Sequence, residues 1–162
     1  MMAIRRRFGA QFQGNGRTCF GLWAPDAREV RVETADGRDW PLEGSDSGWF
    51  EATLPCPPGT RYRYRIDGRP GVPDPASQFQ PDGVHGDSQV LDHDAYAWRV
   101  DEWRGRPWHE AVIYELHVGL FGSYAEVEGF LPRLVELGVT AVELMPLGEF
   151  PGRRNWGYDG VL

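Results

Sequence analysis

The residues best equipped for chemistry lie in one stretch, FPGRRNWGYDG, at positions 150–160. Beside its glycines the stretch carries Arg153, Arg154, Trp156, Tyr158 and Asp159. A loop that only reversed the chain would need turn residues alone, and loops with additional side chains of this kind commonly carry function. The flat faces of Trp156 and Tyr158 suit the C–H faces of a sugar ring, and Asp159 suits hydrogen bonds to hydroxyls. We therefore predict a carbohydrate subsite with Trp156, Tyr158 and Asp159 as its substrate-binding residues.

Two apolar segments and one helical pattern precede the loop and must position it. AVIYELHV (111–118) and VTAVELMP (139–146) are near-continuous apolar runs, typical of strands covered on both faces. Between them, Ser123 and Glu126 form a capping box, and apolar residues follow at helical spacing up to Gly138, which is suited to end a helix. A strand, a helix and a strand of this length predict one β-α-β unit of a parallel sheet.

One β-α-β unit leaves sheet edges open, so we predict that residues 111–162 begin an incomplete (β/α)8 TIM barrel. In such a barrel the loops at the carboxyl ends of the strands carry the binding groups, and 150–160 follows the second strand. Glu115, His117 and Glu143 are polar residues within the two strands. They suit either acid–base chemistry or a hydrogen-bonded cluster that fills the lumen. We favour the cluster, because strand interiors lie below the rim where chemistry occurs.

Other functions remain open for the loop residues. Asp159 suits capping of its own loop as well as substrate contact. Trp156 suits loop packing, and the two arginines suit a solvated surface.

The chain before the barrel segment reads as short strands separated by turns. The clearest are RTCFGLWAP (17–25), EVRVET (29–34), GWFEATLP (48–55) and RYRYRID (61–67). Their period-two alternation predicts antiparallel sheets with one buried face, packed as an immunoglobulin-like (early-set) β-sandwich over residues 1–95, with a last strand near 88–92. Residues 96–110 then predict a connector anchored by its tryptophans. These are Trp98, Trp103 and Trp108.

Composition excludes several partners. The net charge of −7 argues against nucleic acid and anionic membranes. No apolar run approaches a membrane span, and the polar start MMAIRRRFGAQ lacks a secretory core, so we expect a cytoplasmic protein. Cys19 and Cys56 are too far apart for a metal pair and predict free thiols, with a disulfide as the alternative. His85 and His93 are isolated, and we expect neither a metal nor a cofactor.

The motifs VIYELHVG (112–119) and LVELGVTAVELMPLGEFPGRRNWGYDGV (134–161) resemble the malto-oligosyltrehalose trehalohydrolases, a branch of the alpha-amylase family (glycoside hydrolase family 13). The strand-rich domain before them resembles that family as well. The loop pattern FPG-R-x-WGYDGV is the discriminating part, because glycogen branching enzymes usually have Gln where this chain has Asp159. The turn GLFGSYAEVEGF departs from the family, which usually has a longer, Thr-rich turn there.

The resemblance implies retaining hydrolysis of an α-1,4-glucosidic bond that releases trehalose from maltooligosyl trehalose. In the family, the nucleophile and acid come from later barrel strands. We therefore assign no catalytic residue in this chain and predict that the chain alone is inactive. The resemblance also implies that Tyr158 stacks on the sugar at the cleavage-proximal subsite. The implied partners are maltooligosyl trehalose or an α-1,4-glucan, and the open edges of the barrel strands predict self-association.

The alternative is a glucan-binding module and barrel start from a glycogen branching enzyme or isoamylase-like protein. The aromatic residues available for glucan binding are Trp23, Trp40, Trp49, Phe50, Tyr62 and Tyr64. Most of them lie on apolar strand faces and are typical of core. We therefore prefer a structural role for the sandwich, as a domain that supports the barrel.

Overall fold

The computed structural model describes residues 7–100 and 102–162. The first six residues, part of the predicted sandwich domain, and Asp101, part of the predicted connector, lie outside the described residues. The described chain is mainly β and consists of a β-sandwich followed by one parallel β-α-β unit, so the predicted fold class is confirmed. It divides into two compact units, Met1–Tyr96 with Val161–Leu162, and Ala97–Gly160.

The first unit contains two four-stranded antiparallel sheets. Its strands are β1 (Gly9–Phe12), β2 (Thr18–Trp23), β3 (Val30–Thr34), β4 (Asp39–Pro41), β5 (Glu43–Gly44), β6 (Trp49–Leu54), β7 (Arg61–Ile66) and β8 (Ser88–Gln89). One sheet has the order β1-β2-β6-β5 and the other β4-β3-β7-β8. The strands predicted from the sequence are β2, β3, β6, β7 and β8. The short strands β1, β4 and β5 carry too few residues for a clear alternation.

Alternating residues of the strands form the core of the sandwich. In β7 the residues Tyr62 and Tyr64 are 1% and 0% exposed, whereas the three arginines that alternate with them are half-buried. Phe20 of β2 packs edge-on against Tyr62, with 4.9 Å between ring centroids. Each large apolar side chain buried in this way contributes ~1.5–3 kcal/mol to stability. The period-two pattern of the sequence therefore places the core correctly.

A buried polar network fixes the irregular segment between β7 and β8. Asp74 is fully buried, and its carboxylate accepts hydrogen bonds from the Tyr62 hydroxyl at 2.6 Å and the Ala76 amide at 2.8 Å. The Ser88 hydroxyl donates to Gln80 Oε1 at 2.6 Å and accepts from the Asp74 amide at 3.0 Å. Buried polar groups need partners of this kind, so the segment is ordered without regular structure.

The second unit contains the predicted β-α-β arrangement. Its elements are β9 (Ile113–Leu116), the short helix α1 (Val118–Phe121), α2 (Tyr124–Glu136) and β10 (Ala141–Leu144). The strands β9 and β10 pair in parallel, with Glu115 opposite Glu143. Helix α2 begins as predicted, because the Ser123 hydroxyl accepts a 3.2 Å hydrogen bond from the Glu126 amide. Helix α1 lies where the sequence predicts only a turn.

Several large apolar side chains of this unit and of the connector are exposed. The apolar runs predict strands covered on both faces, but Ile113 and Leu144 are 47% and 38% exposed. Among the described residues no third strand pairs with β9 or β10, so the apolar side chains keep solvent contact. The connector tryptophans are not the anchors that the sequence predicts. Instead, Trp98, Trp103 and Trp108 are exposed.

The sequence also makes predictions about the two cysteines and about membrane-spanning segments. Cys19 and Cys56 are free thiols, as predicted, and burial raises the pKa of Cys56. None of the helices in the described part of the chain has the length and apolar character that crossing a membrane requires.

Candidate functional site

The loop at positions 145–160 follows β10 and returns to the end of β9. The Met145 amide donates to the Leu116 carbonyl at 3.0 Å, which extends the parallel pairing by one bond. Further on, Nε2 of His117 lies 2.9 Å from the Asn155 carbonyl oxygen. A carbonyl only accepts, so this nitrogen carries the proton. These two bonds hold both ends of the loop at the carboxyl edge of the sheet, where barrel enzymes place their binding groups.

A tight turn inside the loop brings its aromatic residues together. Oδ1 of Asn155 accepts hydrogen bonds from the amides of Gly157 at 2.6 Å and Asp159 at 3.4 Å. Gly157 is buried, has φ of +119°, and a Cβ there would lie 2.6 Å from Met145 Sδ. Both the backbone conformation and the close approach of Met145 require glycine at this position.

The turn places Trp156 and Tyr158 side by side at the surface. Their ring centroids are 5.8 Å apart with 61° between the ring planes, an edge-on arrangement favoured by aromatic pairs. Trp156 is 74% exposed and Tyr158 is 52% exposed. Both predicted substrate-binding rings are therefore available to a ligand. Their contact with sugar stays a prediction.

Asp159, the third predicted binding residue, contacts Trp156. Its Oδ1 accepts a 2.6 Å hydrogen bond from the indole Nε1, and its Oδ2 accepts a 3.3 Å bond from the Trp156 amide. This is the loop-capping arrangement that the sequence leaves open as an alternative. The carboxylate is exposed and keeps free lone pairs, so capping does not exclude a contact with a hydroxyl.

Glu115 joins the site, a connection that the sequence does not reveal. The Tyr158 hydroxyl donates a hydrogen bond to Glu115 Oε1, across a separation of 43 residues. This bond raises the pKa of Tyr158, with smaller contributions from burial and from the charges of Glu115 and Glu143. No local sequence signal links the strand to the loop, because their meeting depends on the path of the turn.

The favoured interpretation of the polar strand residues does not hold. Among the described residues, Glu115, His117 and Glu143 make no hydrogen bond to one another. Both glutamates are exposed, and the partners of Glu115 and His117 lie in the loop. Glu115 and His117 therefore support the loop from below instead of filling a closed lumen.

The two arginines of the loop, Arg153 and Arg154, line a separate cavity of about 370 Å³. Its walls include His117, Tyr124, Phe150, Arg153 and Arg154, but not the Trp156–Tyr158 pair. Within residues 7–100 and 102–162, no group of three or more His, Cys, Asp or Glu side chains is arranged to hold a metal ion.

The sandwich exposes an aromatic surface of its own. Trp23 and Trp49 are opposite each other in the β2–β6 pairing, and Trp23 is 54% exposed. Phe8 contacts Trp49 edge-on at 4.6 Å, and the Arg7 guanidinium lies 4.4 Å from the centroid of the same ring. Trp49 is therefore partly covered, whereas Trp23 is available. The predicted core placement holds for Phe50, Tyr62 and Tyr64, which are buried, but not for Trp23.

Residues 7–97 match the sequence profile of the family described as "Carbohydrate-binding module 48 (Isoamylase N-terminal domain)". The chain belongs to the carbohydrate-binding module 48 family. This module covers the whole described sandwich and ends within the first two residues of the connector. The family match therefore agrees with the predicted sandwich.

Relatives of known name extend the similarity beyond the module 48 domain. The chain is 43% identical over 161 residues to the malto-oligosyltrehalose trehalohydrolase of Deinococcus radiodurans, covering 97% of this chain and 26% of that protein. It is 33% identical to the 1,4-alpha-glucan branching enzyme of Vibrio cholerae, covering 94% of this chain and 25% of that protein. The chain thus spans about a quarter of the length of these relatives. The resemblance predicted from the sequence motifs is confirmed.

A solved structure matches both the module and the β-α-β unit. A Salmonella typhimurium protein assigned as an alpha amylase matches with a TM-score of 0.88 at 39% identity, covering 98% of this chain and 28% of that one. Because the match covers both units, the module 48 domain and the following parallel unit recur together in an alpha-amylase relative.

Proposed function

We propose that this chain is the N-terminal part of a retaining α-1,4-glucosidic hydrolase that releases trehalose from maltooligosyl trehalose. The observation that carries the proposal is the 43% identity to a malto-oligosyltrehalose trehalohydrolase over 97% of the chain. In the family that this chain resembles, the catalytic carboxylates belong to later barrel strands. Under this proposal the chain alone is therefore inactive.

The exposed ring pair supports a sugar subsite at the carboxyl edge of the sheet. Sugar rings have apolar C–H faces, and the faces of Trp156 and Tyr158 are large, flat and exposed. Tyr158 stacks at the cleavage-proximal subsite, and Trp156 and Asp159 support it. Binding pockets commonly combine an apolar surface of this kind with a few polar groups that set orientation.

The test compares two proteins on maltotriosyl trehalose. One is this chain, and the other is a protein of the relatives' full length that begins with this sequence. We expect trehalose release from the long protein and none above background from the chain alone, because the covalent route needs both carboxylates. Release of trehalose by residues 1–162, unchanged when Tyr158 is replaced, would contradict both parts of the proposal. Transfer of glucan segments by the long protein without trehalose release would favour the branching enzyme.

A second function, glucan binding by the sandwich, is favoured by one observation. The half-exposed Trp23 lies on the outer face of a domain that belongs to a carbohydrate-binding family. Our preferred role for the sandwich remains structural, because Trp49 beside it is partly covered by Phe8 and Arg7. Saturable binding of maltoheptaose that depends on Trp23 would decide for the second function.

Three further expectations belong to the proposal. The domains are 1–95 for the sandwich, 96–110 for the connector and 111–162 for the start of the barrel. The protein is proposed to work in the cytoplasm. Its partners are maltooligosyl trehalose or an α-1,4-glucan, and a second copy of the chain.

A further inference from the structure

We propose that Glu115 and Asp159 are positioning residues that hold the rings of Tyr158 and Trp156 as a preformed stacking platform. Each carboxylate accepts a hydrogen bond from the polar tip of one ring. The inference deepens the proposed function, because it assigns how that sugar subsite recognises its ligand. The faces of the two rings recognise the ligand, while their polar tips are held by the two carboxylates.

The tether of Tyr158 comes from the strand below it. Glu115 lies in the middle of β9, whose backbone is fixed by the parallel pairing with β10. A carboxylate on a paired strand is a firmer anchor than one on a loop. The Tyr158 hydroxyl donates its only proton to Glu115, so it has no proton left to donate to a sugar oxygen.

The tether of Trp156 comes from within the turn. Asp159 bonds both the indole nitrogen, at 2.6 Å, and the backbone amide, at 3.3 Å. The indole has a single N–H group, and Asp159 takes it. Because the two bonds share one carboxylate, the side chain and the backbone of Trp156 are held in one orientation.

Together the tethers fix the two rings without covering them. The rings keep their edge-on contact at 5.8 Å, and 74% and 52% of the surfaces of Trp156 and Tyr158 stay exposed. Large exposed rings lose rotamer freedom when a ligand stacks on them, and prior fixation removes part of that cost. The predicted ligand feature is therefore an apolar sugar face, with hydroxyl recognition supplied by other groups.

The first experiment measures the ring contact in the whole chain by NMR. We expect Glu115→Leu to lose the nuclear Overhauser contact between the Trp156 and Tyr158 rings. Glu115→Gln should retain it, because the amide oxygen still accepts from the hydroxyl. The matched control is Glu143→Leu, which removes the neighbouring carboxylate on β10 but no hydrogen bond to Tyr158. The Tyr158 hydroxyl should also titrate at lower pH in Glu115→Leu than in the wild type.

A ring contact that persists in Glu115→Leu, or is lost equally in the Gln and Glu143→Leu variants, would overturn the inference. A second variant, Asp159→Ala, tests the other tether through the Trp156 indole proton, whose exchange with solvent should accelerate. Unchanged indole exchange in that variant would overturn the role of Asp159. Far-ultraviolet circular dichroism of every variant separates a lost tether from a lost fold.

The second experiment uses maltose and distinguishes a failure of the positioning roles from a failure of the proposed sugar subsite. Saturation transfer from the two rings to maltose should fall roughly two- to tenfold in Glu115→Leu, the range that loss of one net hydrogen bond implies. It should be unchanged in Glu143→Leu. If the tethers behave as expected but wild-type rings transfer nothing to maltose, the positioning roles stand and the sugar subsite of the proposed function fails. Measurable transfer to maltose in the wild type that is equally strong in Glu115→Leu would overturn the inference.

Discussion

The Tyr62 hydroxyl donates a 2.6 Å hydrogen bond to Oδ2 of Asp74, twelve residues later, and both side chains are buried. The bond ties the irregular segment after β7 to the core of the sandwich. Burial raises the pKa of Asp74, although its hydrogen bonds from Tyr62 and Ala76 oppose the rise. Burial also raises the pKa of Tyr62 well above its ordinary value, so the phenol stays protonated as the donor.

We predict that Asp74→Asn changes the pH dependence of stability. A carboxyl whose pKa is higher in the folded chain stabilises the fold fully below its unfolded pKa of about 3.9. That contribution is lost as the pH rises through the folded pKa, and it amounts to about 1.4 kcal/mol for each pH unit that separates the folded pKa from the unfolded one. The free energy of unfolding of the wild type should therefore exceed that of Asp74→Asn by most near pH 3.5, and the difference should shrink towards pH 7. Urea unfolding at three pH values measures it.

The matched control for this prediction is Asp46→Asn, at an exposed position in a turn of the same unit. Its free energy of unfolding should stay within about 0.5 kcal/mol of the wild type at every pH, as is usual for surface changes. A difference between wild type and Asp74→Asn that grows as the pH rises would contradict the assigned direction.

Replacement of Gly157 tests how the turn builds the ring platform. Gly157→Ala puts a methyl group 2.6 Å from Met145 Sδ and strains a residue with positive φ. Gly152→Ala introduces similar backbone strain, since φ is +86°, but its methyl group meets no atom within 4 Å. We expect both variants to lose stability by ~1–3 kcal/mol from strain, and only Gly157→Ala to lose the Trp156–Tyr158 ring contact in NMR spectra. Equal loss in both would show that backbone strain alone, without the Met145 contact, disturbs the platform.

Much of the fold could be predicted because local patterns determine it. The alternation in RYRYRI places Tyr62 and Tyr64 in the core, and Ser123 marks the start of α2 through its own side-chain bond. The short strands β1, β4 and β5 and helix α1 escape prediction because two to four residues carry no clear period. The exposure of the connector tryptophans could not be predicted, because exposure depends on what packs nearby, which composition does not state.

The candidate site could be predicted only in part, for a related physical reason. Residue types and turn glycines in the loop indicate that Trp156 and Tyr158 lie at a strand end. The tether from Glu115 to Tyr158 spans 43 residues and depends on the register of two strands and on the turn at Asn155. No pattern along the chain carries that information.

Glucan binding by the whole chain provides a further prediction. Titration with maltoheptaose should show no binding tighter than about millimolar, which corresponds to ~4 kcal/mol. Trp23→Ala should leave this weak binding unchanged, because Trp23 offers a single available ring. Trp103→Ala is the control for an exposed tryptophan outside the sandwich. Micromolar binding that disappears in Trp23→Ala but persists in Trp103→Ala would establish the sandwich as a glucan-binding module.

The open edges of the two-stranded sheet predict self-association of the chain. Unpaired strand edges offer backbone donors and acceptors to another chain, and the exposed side chains of Ile113 and Leu144 add apolar surface. Val118 and Val142 are half-buried and contribute less apolar surface. We expect light scattering to show dimers or larger species whose population rises with concentration. Ile113→Lys should shift the chain towards monomer, because a lysine on an edge strand opposes pairing. A monodisperse wild-type monomer at every concentration, with strongly protected amides in β9 and β10, would show that the unit is stable without a partner.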